Sequence, residues 1–242
     1  MILIILASGS GKRLKNKTKK IPKCLVKVNG KPIIEYMQKF INCFDKIFVI
    51  AGYRSNKIKK FFNNKKVKVI YNKKYNSTNM VHSLFCASKY IKEKEDVIVS
   101  YSDIIFDYSI FHSLKRKKFN SIPVKTNWLK LWKKRMPISK IKKDAESLSS
   151  NGNKLISIGE KITKKFPKYQ FMGLMKIIYK DFILMKKYYD KINNKKIDFT
   201  SFINLMLKDK KIKIHCLKTN KFWLEIDNLI DLNLAEQLLK SK

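Results

Sequence analysis

The segment Ile2 to Ala7 is apolar at every position and runs straight into Ser8-Gly9-Ser10-Gly11-Lys12. A strand with one wet face alternates apolar and polar residues; one without alternation must be covered on both faces, as in the middle of a parallel sheet. The pattern returns in "KIFVIA" (46–51), "VKVIYN" (67–72) and "DVIVSYSD" (96–103). Between these runs lie segments with helical spacing. "KPIIEYMQKFINCF" has Pro32 at its start, "SNKIKKFF" opens at Ser55, and "STNMVHSLFCASKYI" carries Ser and Thr where a cap belongs.

This alternation predicts an α/β, Rossmann-like fold, a mostly parallel mixed sheet sandwiched by helices. The second half is less regular. "FNSIPVKT" and "WLKLW" read as strands, and "LSSNGNKLISIG" (148–159) as a hairpin around Asn151-Gly152. "FMGLMKII" (171–178), "KIKIHCL" (211–217) and "FWLEID" (222–227) read as strands. "YKDFILMKKYYD", "DFTSFINLMLKD" and a segment opening near Asn228 read as helices. No Pro/Gly/Ser linker or repeat interrupts the chain. One domain over 1–242 is expected, its β-hairpin forming a lid over the carboxyl ends of the strands, where open α/β sheets hold ligands.

Composition narrows the class. An apolar fraction of 45% is ample for a core. The net charge of +37 invites a basic nucleic-acid-binding reading. Against it, the positive charge is spread along the chain and nearly all Lys, with Arg only at 13, 54, 116 and 135. Base-reading and phosphate forks favour Arg, so no specific nucleic acid is expected as a partner. Cysteines at 24, 43, 86 and 216 form no C-x-x-C pair, and His82, His112 and His215 are isolated. Scattered cysteines suit a reducing, cytoplasmic setting. No apolar run is long enough to span a membrane, and "MILIILA" lacks the basic start of a signal peptide.

The glycine turn contains GSGK but fails both familiar phosphate motifs. The first Gly of a P-loop would fall at Leu6, and Arg13 stands where Ser or Thr is required. The third Gly of a dinucleotide fingerprint would fall at Leu14. What remains is a small turn after a strand, able to bring backbone N–H groups to phosphates, with Lys12, Arg13 and Lys23 supplying positive charge.

The next segment, "IPKCLVKVNGKPIIEY" (21–36), adds specificity. L-A-x-G-x-G-x-R-L followed by P-K-x-L-V-x-V-x-G-K-P-I-I-E-Y resembles the nucleotidyltransferases that activate sugar phosphates and phosphoalcohols. Within them it is similar to the small cytidylyltransferases of the phosphocholine, 2-aminoethylphosphonate and phosphoglutamine type. The likeness continues through "NSTNMVHSL" (76–84), "SYSDIIFD" (100–107), "DAESL" (144–148), "YQFMGLMKI" (169–177) and "FWLEIDNLIDL" (222–232). Ser8 departs from the usual Ala but stays small.

The resemblance implies CTP and a small phosphorylated or phosphonate acceptor as partners, pyrophosphate as leaving group and magnesium as cofactor. It puts Arg13 on the triphosphate and Lys23 beside the α-phosphate. It makes Asp103 and Asp227 the metal ligands; the plain alternative for each is a turn or helix cap. Nucleotide binding falls to Leu6, Ala7, Ser8, Gly9, Gly11, Lys12, Asn79 and Ser83, with Asn79 equally suited to capping a helix. Glu225 lies two residues from Asp227 on the same strand face. Asp107 is expected to cap the following helix.

The acceptor side is drawn from Asp144, Glu146, Tyr169, Gly173, Trp223 and Glu225, with Trp128 and Trp132 also in that half of the chain. Aromatic rings and carboxylates suit a quaternary or primary ammonium, and ordinary core packing suits the same rings. Gly173 permits close approach of a ligand or a neighbouring strand. The competing enzyme reading is a sugar-1-phosphate nucleotidyltransferase using UTP, dTTP or GTP. Oligomeric state leaves no mark in the sequence.

Overall fold

A computed structural model describes residues 1–41, 43–63, 66–163 and 165–240. Ile2–Ala7 is buried at all six positions and stands inside the sheet, parallel to Lys46–Ala51 on one side and Val97–Tyr101 on the other. Lys68–Tyr71 extends this parallel half beyond Lys46–Ala51. On the other flank Leu174–Ile177 pairs antiparallel with Val97–Tyr101, and the sheet continues through Ser121–Lys125, His215–Thr219, Lys154–Lys161 and Glu146–Asn151. The sheet is therefore mixed, parallel where the strand–helix alternation is regular.

Because the central strands are apolar on both sides, each face carries its own core. Ile2, Ile4 and Leu6 pack with Phe85, Phe182 and Phe202 from helices Met80–Phe85, Tyr179–Lys191 and Phe199–Lys208. Leu3, Ile5 and Ala7 pack with Ile58, Phe111 and Trp132 from helices Ser55–Phe61, Tyr108–Lys115 and Trp128–Arg135. A third cluster joins Leu14, Val26, Ile105, Leu224 and Ile226 to Leu232 and Ala235 of the last helix, Leu229–Lys240. This cluster sits beneath the segments that carry the charged site.

Several elements depart from expectation. "WLKLW" is helix, because a strand would place Lys130 on the same face as the two buried indoles. In the helix Trp128 and Trp132 share the inner side and Lys130 is exposed. "FMGLMKII" divides into Gln170–Phe171 and Leu174–Ile177 at Gly173, whose φ is +73°. A Cβ there would meet the Tyr101 ring at 3.0 Å, so the close approach permitted by Gly173 is to a neighbouring strand. The hairpin around Asn151-Gly152 forms as expected, but it continues the sheet at its edge and enters the site through Glu146. Asp107 caps its helix by accepting from the Ser109 N–H.

The third cluster's role is open to test by truncation. Leu224 is 2% exposed; Leu224→Ala should cost about 2–5 kcal/mol, read as a lowered urea midpoint with an unchanged slope.

Candidate active site

Two short ladders bring distant carboxylates together. Ile104–Phe106 pairs antiparallel with Trp223–Glu225, Glu225 lying opposite Ile104. The Ile226 N–H donates to the Asp103 carbonyl at 2.9 Å. Asp103, Glu225 and Asp227 thereby present carboxylate oxygens within 4.8 Å of one another. Lys23, in the short 3-10 turn Lys23–Leu25 after Pro22, places its ammonium 2.5 Å from Asp103 Oδ2 and 2.6 Å from Asp227 Oδ1. Arg13 is 3.2 Å from Asp227 Oδ1 with its side chain largely exposed.

The glycine turn is shaped to admit this lysine. Gly11 has φ +63°, and a Cβ on it would lie 2.8 Å from Lys23 Cβ. The left-handed turn thus rests directly on the lysine stem, a fit that a side chain would destroy.

Burial opposes the Lys23 charge, but the carboxylates of Asp103, Asp227 and Glu225 outweigh it and raise its pKa. Burial would raise Asp227, yet Lys23, Arg13 and Arg135 hold its carboxyl below the usual range. Glu225 is pushed well up by burial and by its neighbours Asp227 and Asp103. Asp103 Oδ1 is buried with no hydrogen-bond partner. A cluster of hard carboxylate oxygens with one unfilled acceptor suits a small divalent cation such as magnesium. Cys24 lies beside the cluster, but burial and Asp103 push its thiol up to about 12, so it supplies no thiolate.

A second support lies behind Asp227. Arg135 makes a buried bidentate pair with Asp231, 2.7 and 2.9 Å. Asp231 Oδ2 also accepts from the Asp227 and Asn228 N–H groups at 3.0 and 3.3 Å. Asn228, not Asp227, caps the last helix through its side-chain oxygen. The Arg135 guanidinium lies 4.4 Å from the Trp132 ring centroid, and Trp132 stacks on Trp223. Sequence reasoning passed over Arg135 and Asp231. One signal was present: an Arg in a chain that otherwise spends Lys marks a place where a fork is needed.

Two cavities meet at this cluster. One, of about 140 Å³, is lined by Leu6, Ala7, Ser8, Gly9, Asn79 and Ser83 together with Lys23 and Asp103. Ser83 and Ser8 are tied into a chain, Asn72 Nδ2 to Ser83 Oγ to Ser8 Oγ to the Ile50 carbonyl. Asn79 spends its oxygen on the Met80 N–H and its amide nitrogen on the Lys196 carbonyl. Lys12 lines a separate surface hollow with Lys15 and Lys19.

The second cavity, of about 240 Å³, contains Arg13, Tyr101, Trp132, Asp144, Glu146, Gly173, Glu225 and Asp227. Gln170, Asp198 and Thr200, which sequence reasoning passed over, line it as well. Tyr169 and Trp223 are not part of its lining. Trp223 stacks behind Trp132, and Trp128, also buried, bonds the Pro167 carbonyl. Asp144 accepts from Trp132 Nε1 at 2.9 Å.

Residues 3–118 match the MobA-like NTP transferase domain. The CTP:phosphoglutamine cytidylyltransferase of Campylobacter jejuni is 32% identical over 97% of this chain and 98% of its own length. The chain also matches the bifunctional GlmU protein of Methanococcus maripaludis, spanning only 26% of it. Among solved structures, the inositol-1-phosphate CTP transferase from T. maritima superposes with TM-score 0.78 at 21% identity, over 99% of this chain and 95% of its own. The CTP:phosphocholine cytidylyltransferase from Streptococcus pneumoniae gives 0.75 at 21%, over 98% and 99%. The chain belongs to the nucleotidyltransferase family, with the small cytidylyltransferases. Among the described residues no helix is long and apolar enough to cross a membrane.

Removing the fork should be costly. Arg135→Met leaves Asp231 buried and unpaired, a loss of about 3–5 kcal/mol, visible as a lowered melting temperature. Glu146 offers a pH test. Burial and Asp198 raise its carboxyl, against the Thr200 hydrogen bond, from an ordinary value near 4.5. A raised folded pKa gives stability that is full below the ordinary value and lost as pH rises through the folded one. Glu146→Gln lacks that loss, so its melting temperature should gain on the parent's as pH rises above about 4.5.

Proposed function

We propose that this chain is a magnesium-dependent cytidylyltransferase acting as one domain. It transfers CMP from CTP to a small phosphate or phosphonate and releases pyrophosphate. The observation that carries the reading is the Lys23 ammonium held between Asp103 and Asp227 beneath the glycine turn, at the meeting of two cavities.

In the reaction, an acceptor phosphate oxygen bonds to the α-phosphorus and the bond to the bridging oxygen breaks, so the electron pair leaves on pyrophosphate. The acceptor is already an anion at neutral pH, its second pKa being about 6. No general base is needed, and neither cavity's lining includes a histidine. The obstacle is that one polyanion must meet another, so catalysis rests on positioning and charge. Lys23, fixed by two carboxylates and the Gly11 contact, presents its ammonium to the α-phosphate. Arg13, largely exposed at the larger cavity and paired with Asp227 there, would turn onto the triphosphate.

Asp103, Asp227 and Glu225 would hold the magnesium ion. The chemistry such an ion supplies is charge neutralisation at phosphate oxygens. The smaller cavity takes the nucleotide. There Leu6, Ala7, Ser8 and Gly9 offer backbone groups to the base, while Ser83 and Asn79 brace the wall by the bonds already described. The larger cavity takes the acceptor.

The test is pyrophosphate release with each of four nucleoside triphosphates against phosphoethanolamine, 2-aminoethylphosphonate, phosphocholine, phosphoglutamine and glucose-1-phosphate. Turnover is expected with CTP alone, abolished by EDTA, restored by magnesium, and lowered at least ~100-fold by Lys23→Met. Activity confined to glucose-1-phosphate with another nucleotide would instead make the chain a sugar-1-phosphate nucleotidyltransferase.

A further inference from the structure

Glu146 and Asp198 are carboxylates without an ion pair among the described residues, in a chain with 55 Lys and Arg against 18 Asp and Glu. Both line the larger cavity. Thr200 Oγ1 lies 3.0 Å from Glu146 Oε1 and 3.0 Å from Asp198 Oδ1, but its single hydrogen serves only one of them at a time. Asp198 also accepts from Ser201 as a helix cap. With lysine so plentiful, two adjacent half-buried carboxylates left without an ion pair are arranged for a cation that arrives from outside. Burial and the Asp198 charge raise the Glu146 carboxyl, consistent with a missing counter-charge.

A second observation points the same way. Gln170 is 7% exposed and lines the same cavity, and its Oε1 is buried with no hydrogen-bond partner. A buried acceptor left unsatisfied is costly unless a ligand fills it. Three acceptors, Glu146, Asp198 and Gln170, therefore line the same cavity, strand Gln170–Phe171 lying against strand Glu146–Asn151, with the Phe171 and Tyr101 rings beside them. Arg13 and Asp227 belong to the same cavity and lie on its side toward Lys23, which pairs with Asp227.

We propose that this acidic end receives a primary ammonium carried by the acceptor at the end opposite its phosphate or phosphonate. The proposal rests on the cytidylyltransferase reading and narrows its acceptor. A primary ammonium brings three N–H donors to three acceptors. A quaternary ammonium brings none, and would leave Gln170 Oε1 unsatisfied. A neutral alkyl or hydroxyl end would leave the two carboxylates uncompensated.

The experiment compares acceptors of matched length with CTP and magnesium: phosphoethanolamine and 2-aminoethylphosphonate, phosphocholine, and propyl phosphate, with phosphoglutamine as a longer acceptor that also carries a primary ammonium. The best primary ammonium acceptor should exceed both phosphocholine and propyl phosphate in kcat/KM at least tenfold. Glu146→Gln should raise its KM about tenfold, a larger rise than the same variant gives with propyl phosphate, and Gln170→Leu should lower the preference over phosphocholine. Calorimetric titration of phosphoethanolamine against propyl phosphate reads the same discrimination without turnover. Equal or better use and binding of phosphocholine or propyl phosphate overturns the proposal. Discrimination in the calorimeter with no pyrophosphate from any acceptor would uphold the ammonium site and sink the cytidylyltransferase reading.

Discussion

The Lys23 ammonium between Asp103 and Asp227 ties together three segments that are remote in sequence. Each partner is expensive to bury alone and affordable only in the presence of the others. The glycine turn lies on the lysine stem, the Ile104–Phe106 and Trp223–Glu225 ladder sets the carboxylates side by side, and the last helix closes over both. The Arg135–Asp231 pair extends the arrangement one layer back, since Asp231 grips the backbone that carries Asp227. The site is therefore a knot of charge resting on a small apolar cluster of its own.

Charge is distributed unevenly. A chain of net charge +37 concentrates Asp103, Asp144, Glu146, Asp198, Glu225 and Asp227 around two adjoining cavities. The surrounding lysines attract anionic substrates over long range. On the proposed reading, negative groups within the site sort the ligand: those near Lys23 and Arg13 take phosphate with its metal, and those near Gln170 take a cation.

The regular half of the fold was legible because buried parallel strands leave a strong signature, as in Ile2–Ala7 and Lys46–Ala51. The irregular half was less so. Trp128–Arg135 opens on a short, mostly apolar run that can be read as a strand, and the need to keep Lys130 off the face of the two buried indoles selects the helix. Lys23, Arg13, Asp103 and Asp227 were legible through the order of their motifs. Asp198, Thr200 and Gln170 were not, because common residue types acquire meaning only from the neighbours that folding gives them. Asn79 and Ser83 lie where expected, but their polar atoms are occupied by the Met80 N–H, the Lys196 carbonyl, Asn72 and Ser8.

By itself, then, the sequence determined the doubly covered parallel strands, the glycine turn and the set of charged residues grouped by motif. Those features are local: hydrophobic period, turn chemistry and short-range spacing act within a few residues. The tertiary structure decided that Lys23 is paired twice, that Asn228 rather than Asp227 caps the last helix, and that Glu146 and Asp198 meet without a cation. Each of these depends on contacts between segments far apart in the chain, set by the pairing of Asp103 with Ile226 and the docking of helix Phe199–Lys208 on the hairpin.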